Sequence, residues 1–194
     1  MKWDGLMASV VALHLLACGN QPLPRKPAAP PTGNANGTLP AHAVEPEEGA
    51  GADDITAAQA RLPVMKLFIG KSGTKFVMAE IAVREHQRRC GMMFRKELPA
   101  GEGMLFVFLK PSKQGFYMKN TTVPLSIAYV GSSGRILDIH DLEPLNEKPV
   151  ESSTDLVKYA LEVPQGWFRN QNIQVGDVLR AEGGALDDVF FGKE

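Results

Sequence analysis

Seven of the chain's 14 prolines fall within residues 19–62, a stretch with no aromatic residue. That concentration limits what the chain can fold into more than any other feature. Proline has no amide hydrogen and a fixed φ, so segments such as Pro22-Leu23-Pro24 and Pro27-Ala28-Ala29-Pro30-Pro31 fit neither a helix interior nor a sheet. The remainder of the stretch, rich in Ala and Gly and acidic from Glu45 to Asp54, has too little apolar area to offset the entropy of ordering. Residues 18–62 are therefore expected to be a disordered tether, and residues 63–194 must supply whatever core the protein has.

The segment before the tether reads as an address. Lys2 is followed by an apolar run from Leu6 to Ala17, broken only by Ser9 and His14. The run is shorter than the about 20 residues a spanning helix needs, and it suits the core of a signal peptide. It ends at Leu15-Leu16-Ala17-Cys18, which resembles the lipobox of bacterial lipoproteins. That resemblance implies a signal peptide over 1–17, lipidation of Cys18 and a membrane anchor through more than one acyl chain. Gly19 is not the aspartate associated with inner-membrane retention, so in a host with two membranes the implied place is the outer membrane, facing the periplasm. A formal net charge of -1 gives no basic excess for nucleic acid.

From Pro63 the texture becomes that of short strands. Residues 64–69 form an apolar run, and residues 75–83 alternate, with Val77, Ala79, Ile81 and Val83 making one wholly apolar face. Residues 84–90 are free of Gly and Pro and predict a two-turn helix ended by Gly91. Residues 104–109 and 116–119 are further strand candidates. Residues 127–130 and 135–139 flank Gly131-Ser132-Ser133-Gly134, a hairpin signal. Residues 158–163 and 177–181 complete the set, with Gly176-Asp177 as a turn. The expectation is a mainly β (α+β) domain, small, antiparallel and barrel-like, with one short helix.

Three strings in this domain resemble a known family: Arg88-Arg89-Cys90-Gly91-Met92-Met93-Phe94-Arg95, Gly103-Met104-Leu105-Phe106-Val107-Phe108, and Phe116-Tyr117-Met118-Lys119-Asn120-Thr121-Thr122-Val123-Pro124-Leu125-Ser126-Ile127. With Ala160-Leu161-Glu162 and Gly176-Asp177 after them, they make residues 65–180 similar to the family called domain of unknown function 192. The resemblance implies a compact β-rich domain, often exported, with no established activity. Tyr117 stands where tryptophan is usual in that family, Ser126 where aspartate is usual, and Pro164-Gln165 where Asn-Ala is common.

The chemistry-bearing residues admit several readings. His86, His140 and Cys90 have no paired ligand spacing, so neither a metal nor a cofactor is expected. Cys90 is either a nucleophile with His86 one helical turn away, or a small buried residue at a helix end. Five cations, Arg84, Arg88, Arg89, Arg95 and Lys96, crowd 84–96 against the single acid Glu85. Together with Lys119-Asn120-Thr121-Thr122 they suit an anionic or hydroxylated ligand. The expected site is Arg95, Lys119, Asn120 and Thr121, with Glu162; the competing reading is a solvated helix face and a turn bonded to its own backbone. Phe116, Tyr117, Trp167 and Phe168 offer either a sugar-stacking shelf or core, with Trp167 expected to be partly exposed. The function expected is a noncatalytic module, lipid-anchored in the cell envelope, that binds a polar or anionic ligand such as an envelope glycan. An enzyme using Cys90 or the Lys119-Asn120-Thr121 patch, and an adaptor offering a strand edge to a protein, are the alternatives.

Overall fold

The structure, a computed structural model, describes residues 62–70 and 74–192. The expected signal peptide, Cys18 and all of the expected tether but Leu62 lie outside these residues. Leu62 itself is buried.

The strands are β1 (Val64–Ile69), β2 (Lys75–Ala82), β3 (Glu102–Ser112), β4 (Gly115–Phe116), β5 (Leu125–Gly131), β6 (Ile136–Leu142), β7 (Val150–Glu151), β8 (Val157–Pro164), β9 (Leu179–Ala181) and β10 (Gly184–Ala185). The described helices are α1 (Glu85–Cys90), α2 (Trp167–Asn170) and α3 (Leu186–Phe191). Eight strands form one sheet in the order β10-β9-β1-β2-β3-β8-β5-β6, and β4 pairs with β7 apart from it. The fold is the β-rich α+β domain expected, with two additions: β2 and β3 run parallel, and two short helices join the one foreseen. The parallel pair follows from the connection, since α1 and the loop after it carry the chain back to the starting end of the sheet before β3 begins. The candidate strand at 116–119 contributes only Phe116 to a strand.

The sheet curls until its two ends meet. Arg135 bridges Val178, Ile136 N–H donates to the Asp177 carbonyl at 2.8 Å, and Leu179 N–H donates to the Gly134 carbonyl at 2.7 Å. The seam explains Gly134, which has φ 76° and whose Cβ, were there one, would stand 2.2 Å from the Leu179 carbonyl oxygen. Only glycine satisfies both conditions.

Alternation divides the apolar residues between two cores. Leu67, Val77, Ala79, Ile81, Leu105, Ala128, Leu161 and Val163 point to one side of the sheet, where Trp167, Phe168, Leu186 and Phe190 of α2 and α3 close over them. Met104, Phe106, Ile127, Tyr129 and Ala160 point to the other side and are covered by Met92, Met118 and Phe116. The cover does not extend over β1 and β2, where Phe76 and Met78 are exposed. No helix among the described residues is long and apolar enough to cross a membrane.

Candidate functional site

Under that cover, between β3 and β8 on one side and α1 with the β4 segment on the other, lies a cavity of about 220 Å³. Its walls include Phe106, Phe108, Phe116, Met92 and Met118, and Tyr117 stands half-exposed among the lining residues. The Phe106 and Phe116 rings meet edge-on, 4.9 Å between centroids. This volume has room for a ligand of several heavy atoms, since a water's share of liquid is about 30 Å³.

Glu162 lines the same cavity. In β8 the Tyr159-Ala160-Leu161-Glu162-Val163 run alternates, so Glu162 shares its face with Ala160 and lies between Met104 of β3 and Ile127 of β5. It is 4 % exposed, and no protein group reaches its Oε2. Burial pushes the carboxyl up to about 8, with Arg95 pulling weakly the other way. A buried carboxyl without a partner costs stability, which is why such groups are uncommon away from binding sites.

Helix α1 supplies the adjoining wall. Its start is fixed by the Gln87 side chain, whose Oε1 accepts from the Val83 and Arg84 amides at 3.0 and 2.9 Å. Gly91 ends it with φ 48°, and its Cα lies close enough to Phe106 that a Cβ would be 3.3 Å from the ring. Arg88 donates to the carbonyls of Val83 and Val107 and lies 5.5 Å from the centre of the Phe108 ring, which pins the helix to β3. Arg89 pairs with Glu85 at 3.7 Å on the surface.

Only part of the expected constellation comes together here. Glu162 and Thr121 line the cavity; Arg95, Lys119 and Asn120 do not. Arg95 turns to Glu80 of β2 through two 2.7 Å hydrogen bonds, which hold its guanidinium pKa up. Lys119 and Asn120 are exposed on a turn. There the Lys119 carbonyl accepts from Thr121 Oγ1 at 3.2 Å, and Asn120, with φ 54°, offers its carbonyl to the Phe94 amide at 2.8 Å. Asparagine tolerates that left-handed conformation better than most residues, which accounts for it locally. Thr121 is buried, and its backbone bonds to Met118 and Leu145.

The aromatic shelf divides likewise. Phe116 and Tyr117 belong to the cavity, but Trp167 is 7 % exposed and joins Phe168 in the other core, contrary to its expected partial exposure. The tight turn at Gly166, φ 78°, points α2 inward and takes the indole with it. Cys90 is buried in the cavity wall, where burial raises its thiol pKa against the pull of Arg95. His86 is not among the lining residues. Among the described residues no three of His, Cys, Asp and Glu cluster as metal ligands would.

Ser126, the departure from the family's aspartate, lies on the opposite face of the sheet from Glu162. Its hydroxyl donates to Asp141 Oδ1 at 2.5 Å and accepts from the Gly166 amide at 2.9 Å. Asp141 also receives Arg169 at 3.1 Å. A carboxylate thus sits at this corner, supplied by β6 rather than by β5.

Met92, Phe106, Phe108 and Met118 line the cavity but belong to none of the candidate sets drawn from the sequence. The available signal is Glu162 itself, the single acid of β8, set between Leu161 and Val163.

No curated protein matches the chain. Among solved structures it resembles that of a "putative transcription regulator" from Sinorhizobium meliloti 1021, with 28% identity and a TM-score of 0.60 over 64% of this chain and 98% of that one. A protein of unknown function from Novosphingobium aromaticivorans DSM 12444 is similar at 26% identity and a TM-score of 0.58, covering 68% of this chain and 99% of the other. The pattern of DUF192, uncharacterized ACR, matches residues 67–181, more than half of the 194-residue chain. The chain belongs to the DUF192 family.

Proposed function

We propose that the domain is a noncatalytic binding module for a small polar ligand, held in the cell envelope by a lipid on Cys18. The observation that carries the binding half is the unpartnered Oε2 of Glu162 facing a cavity with aromatic and methionine walls. A few polar groups among apolar walls are what small-molecule sites are made of, the polar groups fixing orientation. The anchoring half rests on the apolar run before Cys18 and the proline-rich stretch after it. In a host with two membranes, Gly19 after Cys18 favours the outer membrane, on the periplasmic side.

Cys90 favours a second reading, an enzyme, because a thiol and a carboxyl line one cavity. Its burial works against the thiolate such chemistry needs, so binding is the better-supported reading. The Sinorhizobium relative is described as a "putative transcription regulator"; a net charge of -1 gives this chain no overall basic excess to support nucleic-acid binding.

A thermal-shift screen tests the binding half, using the full chain with Cys18→Ser against envelope sugars, phosphates, amines and lipid headgroups. A ligand at 100 times its dissociation constant stabilises by about 2.7 kcal/mol, a shift of several degrees. Hits that survive Lys119→Ala but vanish in Glu162→Gln are the expected result; hits indifferent to Glu162 would overturn the site assignment. Fractionation tests the anchor: the parent protein should sediment with membranes and the Cys18→Ser protein should not.

A further inference from the structure

We propose that the group seated against Glu162 is cationic, so that the cavity takes a small organic ammonium compound. The inference rests on the binding reading above and names the chemistry of its ligand.

The protein's own cations are engaged elsewhere: Arg95 is held by Glu80, and Arg88 donates to two backbone carbonyls. Neither reaches Oε2 of Glu162. The other titratable groups on this side of the sheet are Cys90 from α1, Tyr117 beside β4, Tyr129 from β5, whose hydroxyl donates to the Val150 carbonyl at 2.6 Å, and His140 from β6. His140 neighbours Ile127 across from Glu162, and its Nε2 also has no protein partner. Glu85 and Arg89, also among the lining residues, pair with each other.

The cavity's cations, Arg88 and Arg89, stand on the α1 wall, Arg88 turned to the Val83 and Val107 carbonyls and Arg89 to Glu85. Beside Glu162 Oε2 a ligand anion would meet a carboxyl, aromatic rings and thioether sulfurs, none of which favours negative charge. An ammonium group would meet a carboxylate together with Phe106 and Phe116, and aromatic faces attract cations by about 0.5–2 kcal/mol when desolvated. The same arrangement in water would gain little. Inside a cavity the carboxylate's attraction is weakly screened, so charge sign becomes the chief discriminator. Seating the cation has a proton cost near neutrality, because Glu162 must release its proton to form the pair. The balance is one proton from the carboxyl to solvent for each ammonium bound, with no covalent bond made or broken.

The test compares three probes of one shape, butylammonium, butan-1-ol and butyrate, titrated into the full chain with Cys18→Ser. The methyl signals of Met92 and Met118, both lining residues, report occupancy by NMR. The expected result near pH 8.5 is a dissociation constant for butylammonium about tenfold or more below those of butan-1-ol and butyrate. Towards pH 7 the butylammonium affinity should fall several-fold while that of butan-1-ol stays constant, and calorimetry in two buffers should find about one proton released per ammonium bound. Glu162→Gln should abolish the preference and leave butan-1-ol binding intact. Equal or tighter binding of butyrate overturns the inference, and if butan-1-ol then still binds at the methionines, the broader binding reading survives it. Silence from all three probes also overturns it, and the screen described above decides separately whether the cavity binds anything.

Discussion

Gly103 of β3 lies against the backbone of Glu162 so closely that a Cβ at position 103 would stand 2.5 Å from the glutamate carbonyl oxygen and 3.1 Å from Val163 Cγ1. Position 103 therefore sets how closely β3 approaches β8, the strand that carries Glu162. Gly103→Ala must push β3 and β8 apart, and overpacking of this kind costs about 1–3 kcal/mol. A urea titration should show a lower midpoint with an unchanged slope. An unaltered midpoint would mean that the two strands are not in this contact.

Glu162 makes stability depend on pH, and the sign is fixed by its raised pKa. Between the ordinary value of 4.5 and about 8 the folded protein holds the proton more tightly than the unfolded chain does. Stability is fully present below pH 4.5 and is lost as pH rises through about 8, by an amount on the order of a few kcal/mol. Glu162→Gln should remove this decline and make the protein more stable than the parent at pH 9, measured as melting temperature across pH. A mutant less stable than the parent at that pH would show that the carboxylate has a partner.

The fold was legible in the sequence wherever one face of a strand is buried. Val77, Ala79 and Ile81 predict β2 because their alternation with Phe76, Met78 and Glu80 is the physical division between core and surface. β5, buried at all seven positions, was legible instead from its hairpin turn. The parallel pairing of β2 with β3 was not legible, because strand direction depends on the path of the intervening loop and not on either strand's pattern. The site was half legible for the same kind of reason. Charge and amide types drew attention to Arg95, Lys119 and Asn120, but their partners, Glu80 and the Phe94 amide, are distant in sequence. Glu162 is visible as the single acid of β8; which of the two cores it enters is not.

Arg95 now has a structural role that can be separated from binding. Both members of its pair with Glu80 are largely shielded, with side-chain exposures of 27% and 17%. Arg95→Met leaves Glu80 without its partner and should destabilise by about 1–3 kcal/mol, since bonds to charged groups are costly to break. Ligand affinity should change less than threefold or so, under 1 kcal/mol. Calorimetric titration beside a denaturation curve checks both; lost affinity at unchanged stability would restore Arg95 to the site.

Tyr159 ties the C-terminal helix to the sheet. Its hydroxyl donates to Asp187 of α3, which also receives Lys158 Nζ at 3.1 Å. Tyr159→Phe should cost about 1 kcal/mol and raise amide exchange selectively in Leu186–Phe191. Uniformly faster exchange throughout the domain would contradict a local tether.

The most direct test of the account is titration of the Glu162 carboxyl carbon by NMR, assigned against Glu162→Gln. A midpoint near pH 8 is expected in the ligand-free protein, because the carboxyl is buried without a partner. A midpoint near the ordinary 4.5 would contradict it, and with it the claim that this group waits for a ligand.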